Sequence, residues 1–472
     1  MPKSLSTHEK FVRMTEERIP RLVLALAAPT IASMLITSLY SMADTYFVGL
    51  LGSASATGAV GVAFPLMAVL QAVGFMFGQG SGNHIARTLG AQDVDNAVRM
   101  AATGFWSALI TGVLLALGGL LGLNSLVFLL GSTETIAPYA TDYLFYILLG
   151  APWLVSSIVI NNQLRFQGSA FYAMVGILSG SILNIALDPL FIFTFGMGVG
   201  GAALATAVSQ IVSFAVLLAG TYRGGNIRMS LRHFTPTREV YRDIMRGGVP
   251  SLFRQGLGSV AIICLNTAAG AFGDAAIAAL SIVNRVVQFM ASAIIGFGQG
   301  FQPVCGYNYG AKRYGRVRQA YWFCVKGSFG FLALVAAVVM LFATQIIRLF
   351  LADSPEVTRI GALTLQLQCS FLPLFSVVAM SNMMLQTMGI AGRASLMAAS
   401  RQGLFLIPCV LILPRLFGLL GLQISQTVAD VLAFLLTVVL TRSVLNDLKE
   451  RQKKQDLLME EEREVAAENT AT

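Results

Sequence analysis

Apolar segments separated by short polar ones make up most of this chain. Each apolar segment is close to the length of about 20 residues that a helix needs to cross the hydrocarbon core of a membrane. The eleventh is short and contains Pro408 and Pro414, which favour an irregular helix. The pattern predicts twelve spans, at residues 21–50, 57–84, 100–122, 141–162, 170–193, 201–221, 248–270, 276–303, 320–347, 360–387, 399–414 and 418–441.

The second half of the chain repeats the first. FGQGSGNHIARTLGAQ, which begins at Phe77, is matched by FGQGFQPVCGYNYGAK, which begins at Phe297, 220 residues later. Pro29 and Pro250 are paired by a similar offset, as are further glycines and prolines. Each half has six spans, so both halves begin in the same orientation. We therefore expect an all-α integral membrane fold of two six-helix lobes, related by a parallel pseudo-two-fold axis around a central cavity.

Composition supports this class. The chain is 56% hydrophobic and 12% charged, with a mean hydropathy of +0.71, too little charge for a soluble globular protein. With the N-terminus inside, inner segments carry 26 Lys and Arg residues, Arg165 and Arg401 among them, and outer loops carry 3. This bias predicts a cytoplasmic membrane protein with both termini in the cytoplasm. The basic residues form no single face, so no nucleic-acid partner is expected.

The predicted domains follow from the spans and the charges. They are a cytoplasmic N-terminal segment at 1–20, an N-terminal lobe at 21–221, a cytoplasmic inter-lobe loop at 222–247, a C-terminal lobe at 248–441 and a charged tail at 442–472, expected to be a solvated helix. One chain supplies the whole cavity, so a monomer is sufficient.

Enzyme chemistry and bound cofactors are not expected. The five cysteines and three histidines are scattered and show no metal-ligand spacing. The sequence contains neither a phosphate-binding Gly-x-x-x-x-Gly-Lys-Ser/Thr motif nor a Ser/His/Asp set placed for nucleophilic catalysis.

Charged residues within membrane spans are costly and usually functional. The spans hold six: Asp44, Asp188, Arg254, Arg285, Lys326 and Asp430. In LNIALDPLFIF, Asn184 precedes Asp188 by one helical turn, and Pro189 follows it directly. Because proline leaves the carbonyl four residues earlier without a donor, free backbone oxygen is expected beside a carboxylate and an amide. These groups suit Na⁺ or a proton. The alternative is that Asp188 ends its helix in contact with water.

Asp44 lies in the outer half of another span of the same lobe, with Tyr40 one turn before it. If Asp44 and Asp188 share a pocket, one proton or one Na⁺ relieves their repulsion; alternatively, Asp44 is interfacial. Thr206 is a further candidate oxygen donor unless its hydroxyl bonds its own backbone. The repeat places Leu265 and Cys409 at the equivalent positions of the second lobe, so we expect coupling only in the first lobe.

A substrate cavity between the lobes is expected to be partly polar. Arg254 is a further candidate for its lining. The alternative for Arg254, Gln255, Arg285 and Gln288 is that each forms hydrogen bonds between helices. Asp430 is either a second titrating group or the partner of Arg285. The residues predicted to line the cavity are Ser181, Asn161, Gln255, Arg285 and Gln288.

The chain resembles the multidrug and toxic compound extrusion (MATE) family over residues 15–445. The resemblance rests on ADTYFVGLLG in the first span, FGQGSGNHIARTLGAQD after the second, NIALDP in the fifth and their echoes in the second lobe. It is greatest to the DinF-like branch. This implies export of organic cations or amphipathic compounds driven by H⁺ or Na⁺, with the cation site at Tyr40, Asp44, Asn184, Asp188 and Thr206. The acids that the other main branch has in its seventh and tenth spans are missing here.

Three other functions remain open from the sequence. A flippase or exporter of a lipid-linked or saccharide precursor would require a strongly basic cavity. A channel would require a selectivity-filter segment, which is not visible. A membrane enzyme would require clustered catalytic residues at a membrane face.

Overall fold

The computed structural model describes residues 6–350 and 354–471, with side chains omitted at 54, 459 and 461–471. In these residues the chain is helical, without strands. The helices are α1 (Thr7–Glu16), α2 (Ile19–Gly49), α3 (Ala54–Gly90), α4 (Val94–Leu121), α5 (Leu123–Leu129), α6 (Ala137–Phe166), α7 (Ala170–Pro189), α8 (Gly198–Thr221), α9 (Arg238–Gly270), α10 (Asp274–Gly310), α11 (Tyr314–Leu341), α12 (Ala343–Phe350), α13 (Pro355–Phe371), α14 (Leu374–Thr387), α15 (Ala391–Ala399) and α16 (Ile407–Ala471).

The twelve-span prediction is confirmed over the described residues. Ten helical segments are long and apolar enough to cross a membrane, and α13 and α14 form one more span, bent by 55°. The helical segment that begins at Ala391 contains two spans, since its backbone is non-helical at Gly418, where φ is 59°. The eleventh predicted span, 399–414, is in fact longer: it begins with α15 and passes through a π-helical stretch, Ser400–Leu406, before α16.

Two polar segments are more ordered than the hydropathy pattern suggests. Helix α9 begins at Arg238, inside the predicted inter-lobe loop, because helices continue past the apolar layer. The tail after the last span continues α16, and its first turns are packed rather than solvated. Val444 and Leu448 are buried, and Gln452 Oε1 accepts a hydrogen bond from the backbone N–H of Gly315 (2.8 Å).

The sequence repeat is also visible in side-chain contacts. Asn161 on α6 donates from Nδ2 to the carbonyl of Ala173 on α7 (3.1 Å). Asn382 on α14 donates in the same way to the carbonyl of Ala394 on α15 (2.8 Å). Both partners are shifted by the same 221 residues, so the two lobes share one internal construction.

The glycines of the repeated Phe-Gly-Gln-Gly motif explain why it recurs. A Cβ at Gly80 would lie 2.2 Å from the carbonyl oxygen of Ile244 on α9, and a Cβ at Gly300 would lie 2.5 Å from Cα of Ala27 on α2. Each helix therefore packs across the lobe boundary at a distance that only glycine permits.

The lobes meet at one end of the bundle, which we call the basic end: the end that carries α1 and the connection 222–237. Arg87 Nη1 donates there to the carbonyl of Thr387 (2.6 Å), linking α3 to α14. Further along the bundle, the hydroxyls of Ser38 and Ser292 lie 3.0 Å apart. Beyond this pair, the described residues form no inter-lobe hydrogen bond toward the opposite end. The hydrogen bonds between the lobes are thus concentrated at the basic end, where the lobes converge, and the described residues form none at the opposite end.

Helix α1 lies across the basic end and contacts both lobes. Lys10 is buried, and its Nζ donates to Ser169 Oγ (3.0 Å) and Asn226 Oδ1 (2.6 Å) in the first lobe. Arg313 Nη1 of the second lobe donates to the carbonyl of Thr15 (2.7 Å). Two more second-lobe residues donate to nearby carbonyls of this segment: Asn308 to that of Met14 and Arg316 to that of Glu17. Residues 10–17 therefore tether one lobe to the other.

Replacing Lys10 with alanine is expected to loosen this tether by about 1–3 kcal/mol, because the charge-assisted hydrogen bonds from Nζ to Ser169 and Asn226 are lost. Burial lowers the pKa of Lys10 from 10.5 to about 8. The docked helix then binds fewer protons than the undocked one, so docking strengthens as the pH rises from about 8 toward 10.5. Limited trypsin digestion after Arg13 and Arg18 measures docking. Lys449→Ala, an exposed lysine, is the control; equal cleavage of both variants would contradict the tether.

Candidate functional site

Asp188 lies at the end of α7, where the regular helix stops. Pro189 follows it, and Leu190–Thr194 continue as a π-helical turn, in which the backbone hydrogen-bond pattern shifts. The side chain of Asp188 is completely buried, and its Oδ1 has no hydrogen-bond partner. The sequence explains this geometry, since proline removes one backbone donor and forces the break beside the carboxylate.

Asn184 connects Asp188 to α8. In the amide orientation that serves both neighbours, its nitrogen donates to Asp188 Oδ2 (3.2 Å) and its oxygen accepts from Thr206 Oγ1 (3.3 Å) and from the backbone N–H of Thr206 (3.2 Å). The Thr206 hydroxyl is therefore directed at Asn184 and not at its own helix backbone. Asn184 thus contacts the Asp188 carboxylate directly, and Thr206 fixes the position of Asn184.

Asp44 and Tyr40, on α2, complete the group. Asp44 is half-buried, but its Oδ1 is buried without a hydrogen-bond partner. Asp44 and Asp188 are close enough to repel each other, and Tyr40 lies in the field of both. The structure therefore brings all five predicted coupling residues together from α2, α7 and α8.

Tyr143 joins the same cluster but was not predicted. It is buried on α6 and lies in the field of Asp44, Tyr40 and Asp188. A single tyrosine in an apolar span gives no sequence signal, because aromatic residues there most often pack against neighbouring helices.

A cavity of about 170 Å³ opens beside these residues. It is lined by first-lobe residues together with Gln299 on α10 of the second lobe, and we call it the first-lobe cavity. Tyr40, Asn184 and Thr206 line it, and so do the predicted Ser181 and Asn161. The hydroxyls of Ser157 and Ser209, which also line it, have no hydrogen-bond partner in the described structure. None of the described residues that line the cavity is an aspartate or glutamate.

Arg165 lines the same cavity, although its sequence position predicts a residue of an inner, cytoplasmic segment and not a cavity residue. It is 3% exposed, in the last turn of α6. Its Nη2 donates to Asn162 Oδ1, whereas Nε and Nη1 have no acceptor among the described residues. Arg254 on α9 is near enough to act on it electrostatically. Arg165 thus has a second guanidinium group near it, on a residue that does not line the cavity.

The described residues contain no group of three His, Cys, Asp or Glu side chains that could hold a metal ion together. The cluster at Asp188 supplies two carboxylates, an amide, a phenol and a hydroxyl. These are hard oxygen donors, the ligand type that hard cations such as Na⁺ prefer, and a proton can bind either carboxylate.

Comparison with known proteins identifies the fold. The MatE family profile matches residues 29–190 and 250–412, once in each lobe. The chain belongs to the MatE family. It is therefore a membrane transporter built from two six-helix lobes.

Several MatE relatives match nearly the whole chain. The multidrug export protein MepA of Staphylococcus haemolyticus is 27% identical over 93% of this chain and 97% of its own length. A multidrug resistance MATE transporter solved in an outward-facing conformation is 29% identical, with a TM-score of 0.87 over 93% of this chain and 98% of its own. A transporter of Pyrococcus furiosus, whose title describes a binding pocket of reverse polarity and suggests a different function, is 28% identical, with a TM-score of 0.87 and coverage of 93% and 98%.

Three residues predicted for a substrate cavity between the lobes are not part of the cavity described above. Gln255, Arg285 and Gln288 are on α9 and α10 of the second lobe and do not line it. Their place in a cavity between the lobes stays a prediction.

Asp430 has a partner that the sequence did not suggest. Arg401, counted as an inner-segment residue, donates from Nε to Asp430 Oδ1 (2.7 Å) and lies over the ring of Phe375 (4.5 Å). Gln426 donates to the same carboxylate (2.8 Å). Asp430 is thus paired within the second lobe, not with Arg285.

Proposed function

We propose that this MatE protein exports organic cations and other amphipathic compounds by antiport, driven by entry of H⁺ or Na⁺. The carrying observation is the pair Asp44 and Asp188, placed by separate helices with unpartnered carboxylate oxygens, behind residues that line the first-lobe cavity. The name of its relative MepA, a multidrug export protein, supports the substrate class.

The two carboxylates form a site whose charge one monovalent cation changes. Without a cation the carboxylates repel each other in a poorly solvated pocket, and one proton or one Na⁺ offsets that repulsion. In this arrangement Asn184 donates an N–H to Asp188 Oδ2, and the hydroxyl of Thr206 holds the Asn184 amide in place. The π-helical turn after Pro189 is the adjacent backbone that can rearrange when the charge changes. The second lobe has Leu265 and Cys409 at the equivalent positions, so coupling belongs to the first lobe.

Transport follows from alternation between two arrangements of the lobes. In our proposal the basic end faces the cytoplasm, in accordance with the distribution of Lys and Arg residues, and the protein is a monomer in the cytoplasmic (inner) membrane. The arrangement described above is then outward-facing, because the lobes converge at the basic end. Cation binding in this state favours substrate release, and cation loss in the inward-facing state favours substrate binding. The cation site suits the DinF-like branch.

Reconstituted protein tests this function. Proteoliposomes loaded with the fluorescent cation rhodamine 123 are subjected to a pH gradient or to a Na⁺ gradient, each imposed separately. We expect dye movement against its own gradient with one of the two ions, opposite in direction to that ion. Dye movement that neither gradient affects would overturn the proposal.

A second candidate is a flippase or exporter of a lipid-linked or saccharide precursor. The guanidinium groups of Arg165 and Arg254 favour it, since such substrates carry phosphate. Translocation of a fluorescent lipid phosphate across vesicle membranes, without export of rhodamine 123, would select this function.

A further inference from the structure

Arg165 carries an unmet hydrogen-bonding requirement. A guanidinium group has five N–H donors in a planar fork and stays charged in proteins. Asn162 accepts from Nη2, while Nε and Nη1 find no acceptor in the described structure, although the residue is 3% exposed. A buried charge of this kind is costly unless it is paired.

The helix that carries Arg165 does not satisfy it. Helix α6 ends at Phe166, and a cation in the last turn of a helix is stabilised when it contacts the terminal carbonyls. Arg165 donates to none of these carbonyls, and Gln167 Nε2 donates to the carbonyl of Gln163 instead (3.1 Å). No carboxylate of the described residues lies within ion-pair distance of Arg165. Arg165 lines the cavity described above, and its Nε and Nη1 are buried there without an acceptor among the described residues.

The cavity has two chemically different regions. Tyr40, Asn184 and Thr206 lie next to the carboxylates, which do not themselves line it. Arg165 lies on the α6 face that includes Ser157 and Asn161, two turns and one turn earlier, a rise of about 12 Å from Ser157. One region is thus bordered by negative charge and the other by an unpaired positive charge, with free hydroxyl donors between them.

We propose that the guanidinium group of Arg165 binds an oxyanion, a carboxylate or a phosphate, of the transported molecule. This inference rests on the proposed export function and refines its substrate class: amphipathic compounds that carry an oxyanion, zwitterions included, bind more tightly than cations that lack one. The unpaired Nε and Nη1 lie on different edges of the guanidinium plane, and each gives a charge-assisted contact to an oxyanion oxygen. In a zwitterion, the cationic group then faces the Asp44/Asp188 region.

Two matched pairs of fluorescent probes test this site by equilibrium binding to the purified full chain. Rhodamine 110 has a free carboxylate, and rhodamine 123 is its methyl ester. Labelled lysophosphatidic acid has a phosphate, and the corresponding labelled monoacylglycerol lacks it. Arg165→Gln is expected to reduce the preference of the protein for the anionic member of a pair by about tenfold or more, the effect of losing a charge-assisted contact. Arg165→Lys, which keeps the charge, should lose less.

Each outcome has one meaning. An effect on the rhodamine pair alone identifies a free amphipathic carboxylate as the ligand, and an effect on the lipid pair alone identifies a headgroup phosphate. Unchanged preference in both pairs, or an equal loss in the exposed-arginine control Arg232→Gln, overturns the inference. If Arg165→Gln does not yield folded protein, the Arg165→Lys comparison decides. Gradient-driven export by the wild type is measured separately from binding. Absence of export would count against the proposed function, whereas an unchanged binding preference would count against this site.

Discussion

Replacing Asp188 with asparagine is expected to abolish gradient-driven export and leave only passive leak. The amide keeps the size and polarity of the side chain but neither binds a proton nor carries the charge that holds Na⁺. Asp44→Asn should have the same effect, because the two carboxylates repel each other and the bound cation relieves that repulsion only when both are present. The stimulation of efflux by the driving ion should fall by about a hundredfold, the upper range of coupling between two binding sites. Dye efflux from proteoliposomes under the gradient that drives wild type measures this.

The double variant sharpens the test. Because the two carboxylates share one cation, the double substitution should cost no more than either single one, which is the signature of residues that act as a unit. Asp430→Asn is the matched control, a buried carboxylate in a membrane helix that already pairs with Arg401. Combining it with Arg401→Gln avoids leaving a buried charge unpaired. Retained coupling in both Asp44→Asn and Asp188→Asn would show that the coupling site lies elsewhere.

Gly80→Val is expected to prevent the lobes from closing at the basic end. Its Cβ would lie 2.2 Å from the carbonyl oxygen of Ile244, a backbone atom of the other lobe that has no room to move aside. Overpacking of this kind costs about 1–3 kcal/mol, which changes the ratio of closed to open forms by roughly 5- to 150-fold. The transporter should therefore spend most of its cycle open at the basic end and export slowly.

The distance between spin labels at Ala91→Cys and Ala311→Cys, two loop positions at the basic end, measures this opening in a background without native cysteines. We expect the distance distribution of Gly80→Val to shift to longer values. Gly61→Val is the control, because Gly61 lies on the same helix with nothing within 4 Å of an added Cβ. A distribution for Gly80→Val that matches the control would mean that this glycine contact does not hold the lobes together.

The spans and the two-lobed repeat followed from the sequence because each depends on local chemistry. Apolar runs of membrane length form helices in lipid, since no water is present to satisfy an open backbone. Asp188 was recognisable for the same reason. A carboxylate, an amide one turn earlier and a proline directly after it are adjacent in the chain, and their effect on one helix does not depend on distant residues.

Only the tertiary structure decided which charges remain unpaired. Arg165 looked like an ordinary inner-segment residue and proved to line the cavity with two free donors, while Asp430 looked like a candidate titrating group and proved to be paired with Arg401. Likewise, Tyr143 joined the carboxylates from a helix with no polar pattern. The sequence determines where a charged residue lies along its own helix. The residue that pairs with it is on a different helix, so the sequence of one helix does not reveal the pair. The rotation and packing of the two helices, and not the order of residues in either, bring partners within hydrogen-bond distance.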